Sequence, residues 1–327
     1  MLEMQLAVLA GFLAGGSTGS FVAPRRSMRL TSDPRMASAF SWQDSECTDL
    51  NLLPFSLDDL LLPGETKQVH LYEARFLELF TQAEKSDHGC VGQLLILPNG
   101  GVVANTALLE IEESRKQDIG VWARLRCVGR VEIEELEPTD YDYYRATVKL
   151  ITDSPSEPVG VETLNECMEA HASCHELVAK LEVARGSSDA AGSEEGDELP
   201  LDERVEWGHE GSASSDFSTP LPKLLETRRD MLCSRGLDAP AASGLDYPMQ
   251  KLWGAQTESE AEAMLLSFSA SSYLSPKERA VALGETDTLE RVQRATATFR
   301  ETGRRLAAEL ALAEAVGQGG ASSESES

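Results

Sequence analysis

Two cysteines and two histidines lie close together near the middle of the sequence, at Cys167, His171, Cys174 and His175. In a helix, the spacing i, i+4, i+7 and i+8 brings all four onto one face. Thiol and imidazole groups are the ligands of zinc sites and the components of Cys-His hydrolases. The outer members lie about 12 Å apart at a helical rise of roughly 1.5 Å per residue, so one ion cannot contact all four. A thiol- or zinc-dependent enzyme using Cys167, His171 and Cys174 is therefore one hypothesis, and a buried face of an amphipathic helix is the other.

Other patterns with catalytic potential have structural explanations. Residues 131–137 contain glutamates at 132, 134, 135 and 137, but valine, isoleucine and leucine alternate with them, which predicts the solvated face of a strand. A G-x-S-x-G match at 15–19 lies in a leader-like segment without the strand and helix that a nucleophile elbow needs. Neither a G-x-x-x-x-G-K-S/T phosphate loop nor an H-E-x-x-H zinc pattern occurs in the sequence. The sequence therefore predicts a protein that is not an enzyme, with no catalytic, cofactor-binding or metal-binding residues.

The charge of the chain limits the classes of partner. The formal net charge is -26 over 327 residues, which repels phosphate backbones and anionic lipid surfaces. The six cysteines are scattered and form no C-x-x-C pair, which is not typical of a secreted disulfide framework. These features predict a globular protein that binds neither nucleic acid nor, in its mature form, a membrane.

The first forty residues resemble two targeting signals in series. Residues 1–20 combine an apolar run with small residues, as in a signal peptide, and residues 21–40 carry four arginines against one aspartate, as in a transit peptide. Phe-Val-Ala-Pro at 21–24 resembles the motif that follows the signal peptide in algae with secondary plastids. This arrangement predicts the chloroplast stroma as the destination, with an ordinary secreted protein as the alternative. Removal of residues 1–40 would leave a net charge of about -28.

The rest of the chain divides by its hydrophobic pattern. Short apolar runs bounded by proline, glycine, asparagine or aspartate predict a β domain over 48–155, interrupted by one helix over 74–85. A helix is predicted over 156–185, and a helical lobe over 220–316, with Ser275 as a helix cap before Pro276. Between them, 186–219 contains ten acidic residues and one arginine, which predicts an acidic disordered insertion. A disordered tail is predicted over 317–327.

Several motifs, in a fixed order, resemble the N-terminal domain of Lon proteases. LNLLPFSLDDLLLPGETKQVHLYEARFLELF, which begins at residue 50, contains Pro63, Gly64, Glu73 and Arg75 at the places of a P-G-x-x-x-x-L-x-I-F-E-x-R-Y-like pattern. Further on, a G-x-R-F/V-x-I-like element is represented by Gly129 and Arg130. The stretch EAEAMLLSFSASSYLSPKERAVALGETDTLERVQRA resembles the helical lobe of that domain, so the resemblance extends over about 50–312.

This resemblance implies a fold and a role. The implied fold class is α+β, with a PUA-like, partly open β-barrel followed by a C-terminal helical lobe. The implied role is non-catalytic binding of exposed or unfolded protein segments, in plastid protein quality control or as an adaptor for proteolysis. Unfolded or client proteins are then the expected partners, together with a plastid protease or chaperone. In a Lon protease an ATPase and a Ser-Lys protease would follow, whereas this sequence ends at residue 327.

The residues of these motifs also have individual interpretations. Pro63 and Gly64 suit a tight turn, and Glu73 with Arg75 suits a salt bridge or cap at the start of a helix. Four leucines just before the turn form an apolar cluster that either packs in the core or contributes a protein-binding surface. They are Leu57, Leu60, Leu61 and Leu62.

Overall fold

The computed structural model describes residues 48–85, 89–97, 100–154, 157–189, 217–233 and 252–321. The signal peptide predicted for 1–20 and the transit peptide predicted for 21–40 lie outside these ranges. So do residues 190–216 of the predicted acidic insertion and residues 322–327 of the predicted tail. None of the helices within the described ranges is long and apolar enough to cross a membrane.

Six strands are followed by a set of helices, with one helix placed among the strands. The strands are β1 (Thr48–Ser56), β2 (Thr66–Leu71), β3 (Cys90–Ile96), β4 (Asn105–Lys116), β5 (Val121–Pro138) and β6 (Tyr144–Leu150). The helices are α1 (Ala74–Lys85), α2 (Val161–Asp189), α3 (Leu221–Cys233), α4 (Glu258–Ser271), α5 (Pro276–Gly284) and α6 (Thr288–Ala321).

The strands form one strongly curved sheet in the order β2-β5-β4-β3-β1-β6, and an additional pairing joins β5 to β6. That pairing closes β5, β4, β3, β1 and β6 into a ring. The strand β5 is 18 residues long and pairs with two strands along one edge. Its first part pairs with β2 and its last part with β6. The α+β class with a partly open barrel and a helical lobe is confirmed, although the sheet is not a clean barrel.

Local sequence signals account for the helix boundaries. The helix α1 has the bounds that the apolar spacing predicts, and its buried side chains are those of Leu79, Phe80 and Ala83. At the start of α5, Ser275 accepts a hydrogen bond from the Glu278 main-chain N–H while the Glu278 side chain accepts one from the Ser275 N–H. This reciprocal capping box, with proline at the first helical position, defines where the helix begins.

Two helices are longer than their sequence patterns predict. The helix α2 continues to Asp189, into the segment assigned to the acidic insertion, and α6 continues to Ala321, into the segment assigned to the tail. The two helices pack along one another, and Arg185 contacts Glu309 at 3.5 Å between Nη2 and Oε2. Helical stability comes mostly from such tertiary packing and less from intrinsic helix propensity.

The helical lobe is attached to the sheet through an apolar core. Trp253 is fully buried and its indole N–H donates to the Val128 carbonyl of β5 at 2.8 Å. The Phe268 ring of α4 packs edge-on against the indole, with 5.4 Å between ring centroids. The sheet and the helices therefore share one hydrophobic interior.

A buried ion network around Asp153 joins the same two layers. The carboxylate accepts hydrogen bonds from the guanidinium groups of Arg130 on β5 and Arg291 on α6, and from the Thr288 hydroxyl at 2.6 Å. Arg130 also donates to the Leu283 carbonyl at 3.0 Å. Burial, aided by the nearby Arg291, lowers the pKa of Arg130 to about 10. Arg130 therefore anchors the barrel to the helical lobe.

A second network has Glu65 at its centre. This fully buried carboxylate accepts hydrogen bonds from Arg228 of α3 at 2.8 Å, from Arg279 of α5 at 2.6 Å and from the Ser272 hydroxyl at 2.6 Å. Burial raises the pKa of the Glu65 carboxyl, but the positive charges of Arg279 and Arg228 outweigh burial and hold that pKa below its usual value. Gly64, just before Glu65, has φ +87°. A side chain there would be strained, and its Cβ would lie 3.2 Å from Arg228 Cδ.

Candidate functional site

A cleft of about 590 Å³ lies between the end of β1 and residues 67–71 of β2. Residues 53–56 of β1 pair with β3, while the other side of β1 pairs with β6 only up to Leu52. Among the described residues, β2 pairs with β5 and with no other strand. The cleft therefore lies between two strand edges whose main-chain groups have no ladder partner in the described part of the chain.

The lining of the cleft is mainly apolar, and its charges are balanced. Lys67 forms an ion pair with Asp59 and lies over the ring of Phe55 at 5.5 Å from the centroid. Glu73 and Arg75 form another pair at 2.8 Å at the start of α1. The apolar lining comprises Leu53, Pro54, Phe55, Val69, Leu71, Phe76 and Ile96. The cleft is therefore locally neutral, although the chain has a net charge of -26.

The turn between β4 and β5 forms a rim beside β2, where it lines a second hollow that shares His70 with the cleft. Ile119 at the tip of this turn is 74% exposed, and Tyr72 at the end of β2 is 66% exposed. His70 Nε2 lies 2.7 Å from the Ile119 carbonyl oxygen, which holds the turn against β2. Gly120 allows this approach, because it has φ +86° and a Cβ there would lie 2.2 Å from the Leu71 carbonyl oxygen. Exposed apolar side chains grouped beside an apolar cleft are typical of binding surfaces.

The cluster of leucines before the Pro63-Gly64 turn is not this surface. Leu60, Leu61 and Leu62 are at most 1% exposed, so the hypothesis of a binding surface at these three residues is wrong. They are covered by parts of the chain that sequence proximity does not reveal, including Leu283 of α5. Leu57 is half-buried and does not line the cleft.

The other motif residues have structural positions. Pro63 and Gly64 form the turn into β2, where the Gly64 N–H donates to the Cys127 carbonyl at 2.9 Å. Arg75 pairs with Glu73 and packs over the Phe76 ring at 4.5 Å. Gly129 lies against the helical lobe, where a Cβ would be 3.3 Å from Leu252 Cβ. These residues therefore have structural roles at the turn into β2, at the start of α1 and at the contact with the lobe.

The group of cysteines and histidines on α2 faces the core of the helical lobe. His171 is 1% exposed and its ring packs against Tyr273 at 4.3 Å between centroids. Cys174 donates its thiol hydrogen to the Phe299 carbonyl at 3.0 Å, and burial raises the pKa of Cys167 to about 11. Protonated, buried thiols are poor nucleophiles and poor metal ligands. Within the described ranges, no three histidine, cysteine or acidic side chains are placed to hold a metal ion.

The buried His171 should make stability depend on pH. Burial, followed by the positive charge of His175, lowers the pKa of His171 to about 4 from 6.5. A lowered folded-state pKa means that the contribution is complete above pH 6.5 and is lost as the pH falls towards 4. We expect a loss on the order of 2–3 kcal/mol across this window.

The measurement is urea unfolding at several pH values between 7 and 4 for the native chain and for His171→Phe. Subtracting the variant removes the contribution of carboxylates that titrate in the same range. The difference should decrease steadily as the pH falls. Parallel curves for the two proteins would show that His171 does not titrate in this way.

The glutamates of β5 are placed as the sequence predicts. The side chains at 132, 134, 135 and 137 are exposed while Val131 is buried, so the alternation marks a solvated strand face. Their exposed positions support the prediction of a solvated face over that of paired catalytic carboxylates.

Two solved structures to which this chain is similar are both Lon N-terminal domains. No family model and no curated protein matches the sequence. The structure is similar to the Lon N-terminal domain protein from Xanthomonas campestris, with a TM-score of 0.32 and 25% identity over 37% of this chain and 69% of that one. It is also similar to the N-terminal domain of the Lon protease from the Mycobacterium avium complex, with a TM-score of 0.41 and 15% identity over 78% and 98% of the two chains. Both are Lon N-terminal domains, the class that the sequence motifs resemble. Because both TM-scores lie below 0.5, neither likeness bears on the function of this chain.

Proposed function

We propose that this protein is a non-catalytic, Lon N-terminal-like module that binds exposed apolar segments of unfolded or client proteins in the cleft between β1 and β2. The observation that carries the proposal is the apolar, charge-balanced cleft bounded by two strand edges. An apolar segment entering it would be removed from water without placing an unpaired charge in the cleft. The exposed rim residues Tyr72 and Ile119 extend the same surface.

The cellular setting belongs to the same proposal. The two targeting-like segments at 1–20 and 21–40 support import into a plastid. A module that binds unfolded segments there would act in protein quality control, either by holding clients or by passing them to a protease or chaperone. The alternative of a thiol- or zinc-dependent enzyme has no support from the geometry of Cys167, His171 and Cys174, which lie in the core of the helical lobe.

A charge-matched pair of variants tests the binding site. The probe is fluorescently labelled lysozyme, reduced and blocked with iodoacetamide, titrated by anisotropy at physiological salt. The double variant Tyr72→Asp with Ile119→Asp should weaken binding roughly tenfold or more, because it places two carboxylates on the apolar rim. The control, Tyr141→Asp with Val281→Asp, adds the same charge at exposed apolar positions elsewhere.

The control variant should bind as the native chain does. Equal weakening by both double variants would show that the probe responds to the general charge of the protein and not to the cleft. No measurable binding by the native chain would contradict the proposed function itself.

A further inference from the structure

The open edge of β2 has a defined set of main-chain groups facing the cleft. The Cys127 N–H donates to the Glu65 carbonyl at 2.8 Å, and the register then continues without interruption from Thr66 opposite Arg126 to Leu71 opposite Val121. In an antiparallel pair, hydrogen-bonded and non-hydrogen-bonded positions alternate. The odd-numbered residues of β2 therefore pair with β5, and the main-chain groups of Gln68 and His70 point towards the cleft.

The opposite wall is a poorer template for strand pairing. Residues 53–56 of β1 include Pro54, which has no main-chain N–H to donate. Proline on an edge strand is a common means of preventing pairing with another chain. By contrast, β2 has no proline over its six residues, which correspond to an edge of about 20 Å at 3.3 Å per residue. The two walls thus differ in their capacity for main-chain hydrogen bonds to an added strand, and β2 is the wall that can supply them.

The charges of the cleft define the chemistry of its occupant. Lys67 is neutralised by Asp59, and Glu73 by Arg75, so neither a basic nor an acidic side chain gains a partner inside the cleft. The surrounding chain has a net charge of -26, which repels acidic segments and favours basic ones at longer range. An uncharged segment with basic flanks is the best match to both conditions.

We propose that the occupant is an extended, uncharged segment of about six residues with basic flanks, which adds as a strand to the open edge of β2. Strand addition supplies affinity through main-chain hydrogen bonds, while the cleft accommodates alternate apolar side chains. This inference rests on the proposed function and specifies how the segment binds. It explains how one cleft can accept many clients, because main-chain groups are the same in every sequence.

The test uses a labelled eight-residue peptide with alternating valine and threonine and a lysine at each end. Its matched partner carries N-methyl groups on the alternate amides that would face β2, which removes those donors without changing the side chains or the charge. We expect the methylated peptide to bind the full chain roughly tenfold or more weakly. A peptide with glutamate in place of both lysines should also bind more weakly than the lysine peptide. The difference between these two peptides should shrink at high salt.

Protein variants provide a second arm. Gln68→Pro removes the N–H that faces the cleft without removing a donor to β5, whereas Gln68→Ala keeps it. We expect Gln68→Pro to abolish peptide binding and Gln68→Ala to retain it, with both proteins showing native circular dichroism. If Gln68→Pro does not fold, the comparison of the two peptides still decides the matter.

The outcomes separate the two proposals. If both peptides bind equally, and the double variant of Tyr72 and Ile119 still weakens their binding, strand addition is overturned. The cleft then remains the binding site. Self-association that Gln68→Pro abolishes, without peptide binding, would identify a second copy of the chain as the occupant and overturn the inference. Failure of the native chain to bind any peptide or unfolded probe would overturn both.

Discussion

Replacing Asp153 by alanine is expected to lower the free energy of unfolding by about 3–5 kcal/mol, because it leaves two buried guanidinium groups without their shared carboxylate. Arg130 and Arg291 are both fully buried, and Asp153 is the anion that joins them. The Thr288 hydroxyl also loses its acceptor. Urea unfolding followed by circular dichroism measures the change.

The matched control removes a carboxylate from an exposed ion pair. Glu262 contacts Arg229 on the surface, where both side chains are more than 40% exposed. Glu262→Ala should change the unfolding free energy by about 1 kcal/mol or less, because exposed pairs contribute little. Similar small effects from Asp153→Ala and Glu262→Ala would mean that the buried network does not attach the lobe to the barrel.

Replacing Trp253 by alanine is the second large effect that we expect, with a loss of about 3–5 kcal/mol in unfolding free energy. The indole is fully buried between β5 and α4, so its removal leaves a cavity there. It also leaves the Val128 carbonyl without the donor at 2.8 Å. The lobe should consequently become easier to detach, which would appear as a lower urea midpoint.

The same substitution at a partly exposed tryptophan is the control. Trp122 on β5 is half-buried and packs beneath Arg115, whose guanidinium lies 5.3 Å from the ring centroid. Trp122→Ala should cost less than half as much as Trp253→Ala, because little of the site becomes a cavity. If both variants lose the same stability, the interior position of Trp253 has no special role in joining sheet and lobe.

Local features of the fold follow from the sequence because their causes are local. The bounds of α1 follow from apolar residues at helical spacing, and the start of α5 follows from a serine cap with proline beside it. The glutamates of β5 are correctly placed on a solvated face because strand alternation has a period of two. These patterns need no knowledge of distant residues.

The networks that attach the lobe could not be predicted in the same way. Glu65 and Arg228 are 163 positions apart, and Asp153 and Arg291 are 138 positions apart. No spacing rule relates such residues, and only burial of both partners indicates that they must meet. The leucines at 60–62 show the same limitation, since α5 covers part of them more than 200 positions later.

The position of the cleft could be predicted from the sequence only in part. The motif segment that runs from Pro63 to Arg75 includes residues 67–73 of the cleft lining. The motif did not identify β2 as an edge, because the order of strands depends on the long β5 and its two partners. Strand order is a property of the whole sheet, so the alternation of residues within one strand does not reveal it.

Hydrogen exchange with and without an unfolded probe tests most directly whether the cleft is the binding site. The full chain is exchanged alone and with reduced, iodoacetamide-blocked lysozyme, and protection is read for each peptide segment. We predict slower exchange in β2, strongest at the Gln68 and His70 amides, with little change in α2 or α6. Protection confined to the helices, with β2 unchanged, would contradict binding in the cleft.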